Sequence, residues 1–113
     1  MRIKSEIWVK ALLRRAAVAG SPGVIVRRGD ADAGAIFVII TRLDGTADLY
    51  GPAPAGLSPA DGDRLLQSMK QRASDADVAA VIEREQRIDG DLWVVEIESR
   101  DGAHYLDGWL LDP

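Results

Sequence analysis

Residues 35–43, "AIFVIITRL", are apolar on both alternations of an extended chain. A strand that shows water to neither face belongs inside a sheet, covered from both sides. Outward from it, Leu43-Asp44-Gly45-Thr46 is a hairpin signal, because an Asp-Gly pair tolerates the positive φ angles of a type I′ turn. "TADLY" (46–50) then continues as the returning strand, ended by "GPAPAG" (51–56). Upstream, "VIVRR" (24–28) is a further strand, so residues 24–50 are predicted to form a three-stranded antiparallel meander. The loop between the first two strands, Gly29–Gly34, is glycine-flanked and carries Asp30 and Asp32, which suits a turn better than an anion cradle.

The first helix is predicted over residues 5–19, with Ser5 as its N-cap and "GSPG" (20–23) as its stop. Glu6, Lys10 and Arg14 form a polar stripe at i, i+4, i+8, and Ile7, Trp8, Ala11, Leu12, Val18 and Ala19 the opposite, core-facing side. "SPAD" (58–61) and "SDAD" (74–77) are capping-box patterns. They predict two more helices, the first burying Leu65, Leu66 and Met69, the second Val78, Val81, Ile82 and Ile88. "DLWVVEIES" (91–99) is a strand, and Asp101-Gly102 turns it into a last strand, "AHYLD" (103–107). The order is α-β-β-β-α-α-β-β. The expected fold class is α+β, two layers, with a mostly antiparallel sheet and helices mainly on one face.

The 113 residues fit one domain, residues 1–113, and 47% apolar with 28% charged residues is an ordinary globular composition. A net charge of −4 offers no general positive field, so neither nucleic acid nor an anionic membrane is an expected partner. With no cysteine and a single histidine, His104, thiolate metal sites, disulfides and cysteine nucleophiles are excluded. Lys10, Arg14 and Arg15 interrupt the apolar stretch that a signal peptide would need. The expected location is the cytoplasm.

Three constellations carry chemical suggestions. In a hairpin closed at Asp101-Gly102, Glu96 and Glu98 share a face and Glu96 stands opposite Asp107, an acidic cluster that water, an arginine or a hard cation must relieve. Arg27 and Arg28 point to opposite faces, so an anion or ion-pair role falls to one of them at a time. Arg15 lies inside the apolar arc of the first helix, either snorkelling at its end or reaching a carboxylate such as Asp48 or Glu96. His104 opposite Ser99 has no orienting acid and no strained nucleophile turn. The element order is similar to the PD-(D/E)-x-K nuclease core, but Asp48-Leu49-Tyr50 puts tyrosine where lysine belongs and residues 35–43 carry no acid. Arg28-Gly29-Asp30 matches an adhesion motif by letters only. Trp109, in the apolar tail "GWLLDP" (108–113), either folds back or docks on a partner.

The segments "RIKSEIWVKALLRR" (2–15), "RRGDADAGAIFV" (27–38), "RLDGTADLYGPAP" (42–54) and "DLWVVEIESRDGAHYLD" (91–107) together resemble a DUF1491-like family, small alphaproteobacterial proteins of unknown function. The resemblance implies a bacterial, cytoplasmic, single-domain protein and supplies no activity, cofactor or catalytic residue. The sequence therefore points away from an enzyme, with no cofactor and no metal. It points toward a binding or accessory module that meets a protein partner, or itself, through an exposed sheet edge or Trp109. The alternative is a divalent-metal-dependent hydrolase of a phosphate-containing substrate, built on Glu96, Glu98 and Asp107.

Overall fold

A computed structural model describes residues 3–54 and 64–111. The described elements are α1 (Ser5–Val18), β1 (Gly23–Arg27), β2 (Ile36–Thr41), β3 (Thr46–Pro52), β4 (Leu66–Ser74), α2 (Asp75–Ile88) and β5 (Trp93–Glu98). One mixed sheet runs in the order β1-β5-β2-β3-β4, antiparallel throughout except for the β2–β5 pair. The α+β class and the mostly antiparallel sheet are as the sequence predicts.

Several expectations are corrected. β1 does not pair with β2, because β5 lies between them, so the 24–50 meander reduces to the β2–β3 hairpin. For the same reason residues 103–107 form no strand: β5 already has a neighbour on each edge and leaves no backbone to pair with. The β2–β3 turn is a three-residue loop, closed by the Arg42 N–H donating to the Thr46 carbonyl at 3.0 Å. Leu43 (φ 62°) and Gly45 (φ 88°) are left-handed in it. Asp44 holds it from within, its Oδ1 accepting from the Thr46 N–H and hydroxyl at 2.9 and 2.6 Å.

Residues 66–74, predicted as helix, are β4. Its ladder with β3 shifts register around Leu49, and its apolar side chains are divided between the two faces, Leu66 in α1's core and Met69 and Ala73 against α2's. Those are i, i+3, i+7 spacings, the signature of one helix face, produced here by a strand that buries side chains on both of its faces. The "SPAD" pattern lies outside the described residues. The second box holds: the Ser74 hydroxyl accepts from the Asp77 N–H at 3.0 Å and starts α2, which buries Val78, Val81 and Ile82. Ile88, at its end, is exposed.

The helices sit on opposite faces rather than mainly on one. Trp8, Val9, Leu12 and Ala16 of α1 meet Ile36, Val38, Ile40, Trp93, Val95 and Ile97. The other alternation of the same strands, Phe37, Leu49 and Val94, meets Val78, Val81 and Ile82 of α2. A strand apolar on both alternations demands this, since a single helical layer would leave half of it in water. Leu106, fully buried, seats the C-terminal tail on α1's side of the sheet. The tail then reaches β4, where the Leu66 N–H donates to the Trp109 carbonyl at 2.8 Å and the Leu111 N–H to the Leu66 carbonyl at 2.7 Å.

Candidate functional site

The buried face of α1 is rotated from the one its sequence suggests. Ser5 is not the N-cap but the first helical residue: Lys4 precedes it with no side-chain cap, and Ser5 is buried with its hydroxyl donating to the Gly34 carbonyl at 2.7 Å. The N–H groups of Ser5 and Glu6 donate to the carbonyls of Asp32 and Ala31. The loop at 29–34 thus caps α1 with backbone carbonyls, the polarity opposite to an anion cradle. Asp30 Oδ2 accepts from the N–H groups of Asp32 and Ala33, Asp30 N–H binds the Asp91 carbonyl, and Gly34 N–H binds the Asp30 carbonyl. The loop also lies directly against the Asp91 carbonyl at both Gly29 and Gly34, an approach that no β-carbon permits.

Docked in this way, α1 turns Ile7 and Val18 outward; they are 57% and 84% exposed, where the sequence placed them in the core. With Lys10, Ala11, Arg14 and Arg15 they make one stripe along the solvent side of the helix. The tail returns beside this stripe. Arg15 Nη1 donates to the carbonyls of Tyr105 (3.2 Å) and Asp107 (2.9 Å), and its guanidinium carbon lies 3.4 Å from the centre of the Trp109 ring. Trp109 packs in turn on Trp8, with ring centres 4.7 Å apart. Of the two roles expected for Arg15, the structure has neither a carboxylate partner nor a free snorkel: the side chain is a clamp on the tail. The result is an open groove of about 840 Å³ over α1, walled on one side by Trp109.

The other residues singled out by the sequence are dispersed. Glu96 is half-buried beside Thr41 and Asp75 on α2's face of the sheet, and Glu98, two residues on, is exposed. Asp107 belongs to the tail on α1's face, so the expected three-acid cluster does not assemble. Among the described residues no group of three or more potential ligands is placed to hold a metal ion. Arg27 and Arg28 do point apart: Arg27 donates to the Gly90 carbonyl, while Arg28 pairs with Glu6 at 3.5 Å over the face of Trp93. Neither meets the acids. Ser99 is a turn residue, its hydroxyl donating to Asp101 and accepting from the Ala103 N–H. Hydrogen bonding to that hydroxyl holds the Asp101 carboxyl below its ordinary value. His104 accepts from the Leu106 N–H through Nδ1 and packs edge-on against Tyr50, so it does not address Ser99.

Sequence reasoning missed a buried ion pair. Arg42 donates through Nε and Nη2 to the carboxylate of Asp48, the closest contact 2.8 Å, and Asp48 is fully buried. The Arg72 N–H, at a left-handed φ of 47°, donates to the same carboxylate at 2.8 Å. Hydrogen bonding to Asp48 raises the Arg42 pKa further above its ordinary value. The pair sits in the β2–β3 hairpin, where Asp48 opposite Ile40 would otherwise be an uncompensated charge. The groove was missed for a different reason. Its stripe at 7, 10–11, 14–15 and 18 is visible in the sequence, but which stripe of α1 meets water depends on how the loop at 29–34 caps the helix.

No helix among the described residues is long and apolar enough to cross a membrane. Among curated proteins, none matches this chain. The family model for a protein of unknown function (DUF1491) matches residues 3–107. A crystal structure of a DUF1491 family protein from Caulobacter crescentus CB15 is similar at 41% identity, over 96% of this chain and 99% of that one, with a TM-score of 0.80. The solution structure of protein Atu0922 from A. tumefaciens is similar at 39% identity, over 100% of this chain and 98% of that one, with a TM-score of 0.85. On the length of that match and the identity of those structures, the chain belongs to the DUF1491 family.

Proposed function

We propose that this protein is a non-enzymatic binding module of the bacterial cytoplasm, acting by protein–protein contact through the groove formed by α1 and Trp109. The observation that carries the reading is the exposure of Ile7 and Val18 in one helical stripe with a tryptophan beside them. Apolar side chains gathered on one surface, with an aromatic anchor at the wall, are the ordinary material of an interface core. The tail supports it too. An arginine and two tryptophans fix the groove wall in place, so a partner would meet a preorganised surface and lose less entropy on binding. The location in a bacterial cytoplasm leans on the alphaproteobacterial relatives. The alternative hydrolase has no matching support, because Asp107 lies on the tail beside α1 while Glu96 is on α2's face of the sheet.

Site-directed photocrosslinking in the protein's native cells tests the reading. A photoreactive residue at position 7 or 18 should give a discrete protein adduct, while one at Ala80, on the exposed side of α2, should not. Arg14→Glu, adjoining the groove, should reduce the adduct at position 7 severalfold. Adducts of equal yield at all three positions, or none at positions 7 and 18, would remove the docking function.

A further inference from the structure

We infer that the groove receives an acidic, amphipathic helix of about three turns from a partner protein. The inference rests on the docking reading above and adds to it the chemistry of what docks.

Charge comes first. The chain as a whole is acidic, at −4, yet the groove is bordered by Lys10, Arg14 and Arg15. The single acid of α1, Glu6, is shared between Lys10 at 3.0 Å and Arg28 at 3.5 Å, and both contacts hold its carboxyl below its ordinary value. Arg14 enters none of the ion pairs among the described residues. A locally cationic border on an acidic protein selects for an acidic occupant.

Shape and backbone chemistry decide the occupant's conformation. Ile7 and Val18 are separated by eleven residues of helix, roughly 16 Å at 1.5 Å per residue. Ala11 between them has only a methyl group, so a partner's backbone can approach closely there. Four anchors at i, i+4, i+7 and i+11 of a second helix span the same length, packing ridges into grooves. An extended strand gains nothing here, since the amides and carbonyls along the middle of α1 are spent on its own hydrogen bonds and the groove is lined by α1 and Trp109, with no strand residue.

A second copy of the chain fits poorly. Its α1 would bring the same three cations, and Ile88, the exposed large apolar residue of its α2, is a single side chain rather than a stripe of anchors. An anionic membrane fits poorly as well, because Trp109 is already covered by the Arg15 guanidinium and held against Trp8, and so is not free to insert.

The test uses the full chain, isotopically labelled, with three defined probes. These are a synthetic 16-residue helical peptide with leucines at i, i+4, i+7 and i+11 flanked by glutamates, the same peptide with every glutamate replaced by lysine, and vesicles of phosphatidylglycerol with phosphatidylcholine. The acidic peptide should shift the amides of Ile7, Ala11, Arg14 and Val18 and the Trp109 indole. It should bind at least tenfold more tightly than the lysine peptide, weaken as salt rises, and lose tenfold or more to Arg14→Glu. The same variant should narrow or invert the preference between the two peptides. Equal binding of both peptides, preference for the lysine peptide, binding to vesicles instead, or concentration-dependent self-association through these residues would each overturn the inference. If crosslinks form at positions 7 and 18 while the acidic peptide fails, the docking reading stands and the acidic partner falls. Absence of both removes both.

Discussion

Arg42 and Asp48 show how a single buried pair constrains the residues around it. Asp48 has no exposure and accepts four contacts, three from the Arg42 side chain and one from the Arg72 backbone, which bends into the left-handed region to deliver it. Breaking a buried pair is far costlier than never having had it, because the remaining charge keeps its desolvation penalty without its partner. Arg42→Met should therefore lower the melting temperature by roughly 10 °C or more, whereas Arg42→Met combined with Asp48→Leu should recover much of that loss. Thermal denaturation of the two variants checks this, and a double variant no better than the single one would refute the account.

The elements are held by short-range contacts that respond to pH and sequence separately from the core. In the β2–β3 loop, the hydroxyl and then the backbone N–H of Thr46 hydrogen-bond to Asp44 and depress its pKa below the ordinary 3.8. A carboxyl that binds its proton less readily when folded stabilises the protein above its unfolded value. That contribution is lost as pH falls through the lower, folded value. Melting temperature should thus decline in acid below about pH 4, and Asp44→Asn should flatten part of that decline while lowering stability at neutral pH. A pH series of melting curves that is unchanged by Asp44→Asn would show the loop to be indifferent to this carboxylate. β4 illustrates the opposite relation between local pattern and element. Its apolar residues, Leu66 on one face and Met69 and Ala73 on the other, fall at helical spacing, and only pairing with β3 makes the segment a strand.

At the scale of the molecule, the decisive feature is the insertion of β5 between β1 and β2. It occupies both edges that a final hairpin and an N-terminal meander would have used, and it sends the chain after Ser99 across α1's face instead. Leu106 is the hinge of that path, fully buried among Trp8, Tyr50 and Leu66 in one core. Leu106→Ala should cost about 2–5 kcal/mol in denaturant unfolding, while Asp107→Ala, whose neighbour Arg15 uses only its carbonyl, should fall within about 0.5 kcal/mol. Near-equal effects would mean that the tail is not part of the core.

The sequence by itself determined what local chemistry can determine. The doubly apolar run at 35–43 required a central strand, Ser74 required a helix to start after it, and Asp44-Gly45 required a turn. It also separated Arg27 from Arg28 and put Glu96 on the face away from Trp93 and Val95. Only the tertiary structure decided strand order, the side of the sheet that each helix covers, the Arg42–Asp48 pair, and the stripe of α1 that faces water. Those depend on which backbone edges and which faces remain free once distant segments have met, and no periodicity along one segment records that competition.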